Sequence, residues 1–329
     1  MLNEALKKQL VELHKVCFND GDYADFFFEN RLSEIQIFLV KEGDEVLSAC
    51  YARFFDLVLF GNKVKVPFLT GVATSPKHRY KGHAREVVEK AKSELKAQGY
   101  PFVLLHPFNH DFYRKLGFET INYVTRLTPN KQSYKGVVFT KMTPSDLPLV
   151  SKLYDKLIAT YYGYKTRSLK EIELLIGNSL KHGGFGYIIH SNGTPKGYVW
   201  CEDGNCVEAL AESNNMFDGL PLPTGYTIPV QGGETDYSMG AVLSVNELLK
   251  VTPYLRNASE KICFGLGEVN YNLEVKEGCF HSVTSTLSEG CKLTERELIS
   301  ICLGQGARVK DNPFEGIIPY YDFACYEMY

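Results

Sequence analysis

Two short runs carry residues whose types and spacing could do chemistry together. The first, 78–85, sets Gly82 among Arg79, Lys81 and Arg85, and Arg79-Tyr80-Lys81-Gly82-His83-Ala84 fits R-x-x-G-x-A. A glycine lets the backbone come close to a phosphate, and the free N–H groups of a helix opening there bind its charge. Alone, such a loop reads equally well as a solvated basic turn. The second run, 112–118, offers the phenol of Tyr113 ahead of Gly117-Phe118. A phenol with a pKa of about 10 is protonated at neutral pH and can donate that proton. Its other reading is a core aromatic on a short helix. His106 and His110 are four residues apart, but Pro107 and a strand end intervene, so helical metal-ligand geometry fails. No metal is expected.

The elements around these runs must position them. A strand over 65–74 leads into the basic loop. The helix after it shows one apolar face, Ala84, Val87, Val88, Ala91 and Leu95, with Gly99 where a C-cap glycine belongs. A short buried strand, 102–106, precedes the Tyr113 run. Upstream, Leu6, Leu10, Leu13 and Cys17 mark an amphipathic helix, and strands over 34–40 and 45–60 are bounded by the turn signals Glu42-Gly43-Asp44 and Gly61-Asn62. Downstream come a strand over 137–142, helices over 144–161 and 168–181, and strands near 187–190, 195–200 and 207–211, with no basic glycine loop among them. The glycine- and proline-rich stretch 217–235 reads as a linker. Beyond it lie a strand over 239–243, a short helix over 245–250, three strands between 261 and 286, and a helix opening at Thr294 with Glu297 at capping-box spacing. The apolar, aromatic tail from 311 to 329 is expected to be docked.

The whole composition bounds the function. With 329 residues, 44% hydrophobic and 23% charged, the chain is globular and long enough for two or three domains. A net charge of −3 argues against a nucleic-acid partner. No run approaches the roughly 18 apolar residues of a membrane span, so no membrane partner is expected. The charged N-terminal stretch does not resemble a signal peptide. Nine cysteines without a C-x-x-C pair read as reduced thiols in a cytoplasmic protein.

The paired runs, about thirty residues apart, resemble the GNAT acetyltransferase superfamily, which joins a Q/R-x-x-G-x-G/A pyrophosphate loop to a downstream Y-x-x-x-G-F element. His78 to Arg85, Gly99-Tyr100-Pro101, Leu105-His106, Tyr113 and Gly117-Phe118 are similar to the enhanced-intracellular-survival (Eis) family of bacterial N-acetyltransferases. That resemblance implies an α/β (α+β) chain. Tandem GNAT folds, mixed central sheets flanked by helices, would be followed by a sterol-carrier-like α/β domain. The expected division is a catalytic GNAT domain over 1–130, a degenerate GNAT-like domain without a cofactor loop over 131–235, and the sterol-carrier-like domain with its docked tail over 236–329.

The same resemblance implies acetyl-CoA as co-substrate and direct attack by a primary amine. Val72, Ala73 and Thr74 match the strand end that pairs with the pantetheine arm. Arg79, Tyr80, Lys81, Gly82, His83, Ala84 and Arg85 match the pyrophosphate loop, and Phe108 and Asn109 a cofactor-contacting pair. Tyr113 matches the general acid. The C-terminal carboxylate, on Tyr329, matches the general base; burial among Tyr320, Tyr321, Phe323 and Tyr326 would raise its low pKa. Aminoglycoside-like or polyamine-like acceptors are implied, with protein amines as an alternative, in a homo-oligomer that is hexameric by family resemblance. The stretch holding Asp20, Asp22, Asp25 and Glu29 among Tyr23, Phe26, Phe27 and Phe28 lies where the family builds part of its acceptor pocket. Its other reading is an acidic loop over core aromatics. From a different class, the alternative function is a non-catalytic coenzyme A- or lipid-binding protein.

Overall fold

The computed structural model describes residues 3–19, 21–202 and 204–325. Helix α1 (Glu4–Phe18) starts at Asn3, whose side chain accepts the Leu6 N–H at 2.7 Å, and buries Leu10, Leu13 and His14. Helix α2 (Gly21–Asn30) follows. Three antiparallel strands come next, β1 (Ile35–Glu42), β2 (Glu45–Leu59) and β3 (Asn62–Thr74). The second hairpin turns at Phe60-Gly61, both with positive φ, the backbone a tight hairpin requires. Helix α3 (His83–Ala97), strand β4 (Phe102–Leu105), helix α4 (His110–Arg114) and strands β5 (Glu119–Thr120) and β6 (Tyr123–Leu127) complete the first segment.

The period of two along β2 separates two cores. Ala49 and Tyr51 face α1 and α2, where Leu10, Phe27 and Phe28 pack on them. Cys50 and Ala52 face α3, against Val87, Val88, Ala91 and Leu95. Burying four such apolar side chains gives α3 roughly 1.5–3 kcal/mol for each large one.

The second segment comprises β7 (Val137–Lys141), α5 (Leu147–Ile158), β8 (Gly163–Lys165), α6 (Leu169–Ile172), α7 (Asn178–Lys181), β9 (Phe185–Ser191), β10 (Thr194–Glu202) and β11 (Asn205–Ala211). Capping boxes start its helices, Thr143 with Asp146 and Ser168 with Glu171. Its antiparallel sheet runs β11-β10-β9-β7. Across β10 and β11, the free thiols of Cys201 and Cys206 face each other at 2.8 Å.

The stretch 217–235 is not a free linker. Phe217, Leu220, Ile228 and Val230 are buried. Strand β12 (Ile228–Gln231) pairs with β6, as does β13 (Thr235–Asp236). Glycine and proline shape its turns, while its alternating apolar residues pack.

The third segment holds β14 (Met239–Val242), α8 (Val245–Val251), β15 (Glu260–Leu266), β16 (Val269–Lys276), β17 (Cys279–Thr286), β18 (Cys291–Leu293), α9 (Glu295–Ser300) and β19 (Phe323–Ala324). Four of these strands form their own sheet, β17-β16-β15-β18. The others do not stay within the segment. β14 lies between β4 and β5, and β19 pairs with β8, which pairs with β2. One eight-stranded mixed sheet, β19-β8-β2-β3-β4-β14-β5 with β1 beside β2, therefore draws on all three expected domains. A boundary at 235 or 130 cuts it, because the backbone of β4 finds its partner more than a hundred residues later. The largest core joins Phe55, Phe68 and Leu104 of this sheet to Leu248, Phe264, Leu298 and Phe314.

Candidate active site

The site grows from a defect in the β2–β3 ladder. Ala49 stands opposite Ala73 and Tyr51 opposite Thr70, so Gly71 and Val72 together face Cys50. Gly71 sits at φ 59, and a Cβ there would lie 2.6 Å from the Tyr51 ring. Beyond the bulge β3 leaves its other neighbour. It pairs with β4 in parallel only at Phe68–Leu104 and Leu69–Leu105. From Thr70 to Thr74 the β3 edge has no strand beside it among the described residues. Val72, Ala73 and Thr74 lie on this parted end.

The chain then turns through Pro76–His78 and enters the basic loop. Tyr80 (φ 63) and Gly82 (φ 91) both adopt left-handed backbone. Gly82 is the N-cap of α3 and supplies no side-chain cap; the first helical bond is Glu86 N–H to the Gly82 carbonyl at 3.0 Å. The N–H groups of the first turn thus point out of the helix end, the arrangement that binds anions. Arg79 folds back, donating from Nε to the Thr74 carbonyl at 3.4 Å. Lys81 and Arg85 are exposed beside it, as is Tyr80. His83 Nδ1 lies 3.2 Å from Glu86 Oε2.

Tyr113 comes from the other side. Asn109 caps α4, its Oδ1 accepting the Phe112 N–H at 3.0 Å. That spends the oxygen of one expected cofactor contact on the helix; the other, Phe108, is exposed and edge-on to Tyr113 at 6.0 Å. The Tyr113 ring is buried with Leu69, Leu105 and Cys50, where β3 and β4 part. Its hydroxyl makes no hydrogen bond among the described residues. Burial, and then the nearby Cys50 thiol, push its pKa well above the usual value, so the group is protonated and able to donate. Burial also pushes the Cys50 thiol up, which makes it a poor nucleophile.

At the end of β4 lies a polar cluster that the sequence did not reveal. His106 Nδ1, His110 Nε2 and Asn122 Oδ1 are buried without hydrogen-bond partners among the described residues. The His106 ring packs on Tyr237 at 4.6 Å. Burial first, and then His110 and Arg126, lower the His106 pKa to about 4. The only sequence signal was the pair of histidines around Pro107, which fails as a helical ligand pair and says nothing of two lone imidazoles at a strand end. The tail arrives here too. Asn122 Nδ2 and Ser238 Oγ donate to the Cys325 carbonyl at 3.1 and 3.2 Å. Tyr329 lies outside the described residues.

In the acidic stretch, Phe27 and Phe28 are core aromatics, each 5.5 Å from the Tyr51 ring, and Asp25 pairs with Lys15 at 2.7 Å. Asp20 lies outside the described residues.

Residues 1–121 match the family model of an acetyltransferase (GNAT) domain. A search of curated proteins by sequence found no match. Among solved structures, the chain is similar to a protein of unknown function from Enterococcus faecalis described as a probable N-acyltransferase. The identity is 16%, 98% of each chain is covered, and the TM-score is 0.75. A GCN5-related N-acetyltransferase from Anabaena variabilis aligns at 17% identity over 91% of this chain and 88% of that one, TM-score 0.68. Eis1 from Mycobacterium abscessus aligns at 12% identity over 100% and 99%, TM-score 0.67. These likenesses establish the fold. The N-terminal segment carries a GNAT acetyltransferase domain, and the protein is an acyltransferase.

Proposed function

We propose that the protein transfers an acetyl group from acetyl-CoA to a primary amine of a multi-amine small molecule, aminoglycoside-like or polyamine-like, with protein lysine as the other acceptor class. One observation carries the reading. The parted end of β3 and β4 has an uncapped helix N-terminus following it in the chain and the buried Tyr113 side chain packed with Leu69 and Leu105 of the two strands. On this reading the backbone at Val72, Ala73 and Thr74 takes the pantetheine arm, and the loop from Arg79 to Arg85 takes the pyrophosphate. The empty space beside Gly82, where nothing stands within 4 Å of a Cβ position, leaves room for the phosphates to approach.

The amine attacks the thioester carbonyl, and a C–N bond forms as the C–S bond breaks. Backbone N–H groups near the bulge stabilise the tetrahedral oxyanion. Tyr113 gives its proton to the departing thiolate, and the amine's proton goes to a base. We assign that base to the C-terminal carboxylate, on Tyr329. Its support is the Cys325 carbonyl, held beside β4 four residues earlier; four extended residues reach about 13 Å. No cysteine nucleophile is needed, in keeping with the raised pKa of Cys50. The degenerate GNAT-like reading of 131–235 and the sterol-carrier-like reading of 236–329 belong to the same proposal.

Mass spectrometry of an acceptor panel incubated with acetyl-CoA tests it. Aminoglycosides and polyamines should gain acetyl groups at amines. A chain lengthened by a few residues after Tyr329 should lose this activity while still binding coenzyme A. Acetylation unaffected by the extension would remove the carboxylate from the mechanism. No acetylated amine at all would overturn the acceptor class.

A further inference from the structure

We propose that three consecutive residues, Asp236, Tyr237 and Ser238, are positioning residues that set the acid and the base of the candidate site relative to one another. The inference rests on the assignment of Tyr113 and the C-terminal carboxylate made above. Each of the three holds a different part of that site. Asp236 accepts a charge-assisted hydrogen bond from Arg114, the residue after Tyr113. The Tyr237 ring packs on His106 at 4.6 Å, just past the end of β4. Ser238 Oγ donates to the Cys325 carbonyl at 3.2 Å, four residues before the last of the chain.

The acid needs such a hold. Helix α4 has five residues, far fewer than the roughly 12–15 at which an isolated helix becomes stable. Asn109 caps its start. Arg114 anchors its end, pairing with Asp111 at 3.1 Å, with Glu119 at 3.6 Å and with Asp236. Asp111 belongs to the same turn and Glu119 follows shortly in the chain. Asp236 comes from another strand, 122 residues further on.

The holding segment is itself fixed at both ends. Thr235 and Asp236 pair with Val124 and Tyr123 of β6, and from Met239 the chain pairs with β4 and β5. Between these ladders the Tyr237 N–H donates to the Asn122 carbonyl at 2.9 Å, and the Ser238 carbonyl accepts the Ile121 N–H at 3.0 Å. Tyr237 and Ser238 are buried. The acid's helix and the tail are thus tied to one short stretch of backbone. Misplacing a reacting group by about 1 Å can cost about a hundredfold in rate. The parts held are assigned to proton transfer and not to cofactor binding, so the effect belongs in kcat.

Steady-state kinetics on single and double variants test this. Asp236→Ala removes the tie to Arg114; kcat should fall about ten- to a hundredfold while the KM for acetyl-CoA stays within about threefold. Asp236→Glu should restore most of the rate. Made in Tyr113→Phe, Asp236→Ala should cost less than about twofold in kcat, because the hydroxyl it positions is gone. Ser238→Ala should likewise lower kcat in the natural chain and cost little in a chain lengthened beyond Tyr329. Full-sized losses in both backgrounds would mean a purely structural role and overturn the inference. So would wild-type turnover in Asp236→Ala beside a crippled Tyr113→Phe, with the acid assignment left standing. Full turnover in Tyr113→Phe would remove that assignment and this inference together.

Discussion

Gly82 sits at φ 91 with open space where a Cβ would go, so its replacement by alanine is a conformational change and not a steric one. Left-handed backbone costs a residue with a Cβ about 1–2 kcal/mol. Gly82→Ala should tilt the first turn of α3 and raise the KM for acetyl-CoA several-fold at nearly constant kcat; steady-state kinetics read this, and an unchanged KM would separate the loop from the pyrophosphate. His106 makes a different prediction. Its pKa is about 4 in the fold, against about 6.5 unfolded, so the folded chain binds fewer protons between those values. The stability it contributes is present above pH ~6.5 and is lost as pH falls towards 4, by up to about 3 kcal/mol. Thermal melts at pH 7.5 and 5 should show wild type losing more than His106→Asn; equal losses would contradict the depressed pKa. The two residues differ in legibility. Gly82 announces itself through its basic neighbours and the helix that follows. His106 depends on what folds over it from residues 110, 126 and 237, and no local spacing records that.

At the scale of elements, local rules carry far. The β1–β2 and β2–β3 turns, the apolar face of α3, the capping boxes at Thr143 and Thr294, and the short α4 stopping ahead of Gly117 all follow from residues within a few positions of each other. Pairing over long range does not. Nothing near Met239 says that β14 inserts between β4 and β5, and proline at 229 hides the edge strand β12 inside an apparent linker. Buried ionic pairs are likewise silent in sequence. Arg167 and Glu208 lock the start of α6 to β11, and Tyr198 also donates to Glu208. Glu208→Gln would leave the guanidinium without its buried counter-charge, which costs about 3–5 kcal/mol. Denaturant unfolding should show a loss of that order; a loss under 1 kcal/mol would mean that water reaches Arg167.

Across the whole molecule, the candidate site draws on parts far apart in sequence. The bulge at Gly71, the helix end at Gly82 and Tyr113 come from the first segment, while the tail carbonyl of Cys325 is held by Asn122 and by Ser238, next to β14. The first group was readable as a motif. The second was not, since it exists only once the eight-stranded sheet is complete. A chain ending at residue 235 lacks β14 and the apolar cover of Phe55, Phe68 and Leu104. It should show no cooperative unfolding transition and bind no acetyl-CoA; a folded, cofactor-binding fragment would show that the sheet does not need its late strand. The central claim is that Tyr113 is the acid at an acetyl-transfer site. Thiol release from acetyl-CoA, with a multi-amine acceptor in excess, tests it most directly in wild type and Tyr113→Phe. The ring and its packing are kept in the variant, and proton donation by a positioned group is worth about 10²–10⁴-fold. The account predicts that kcat falls by at least two orders of magnitude while the KM for acetyl-CoA stays within a few-fold; a Tyr113→Phe protein that turns over like wild type would contradict it.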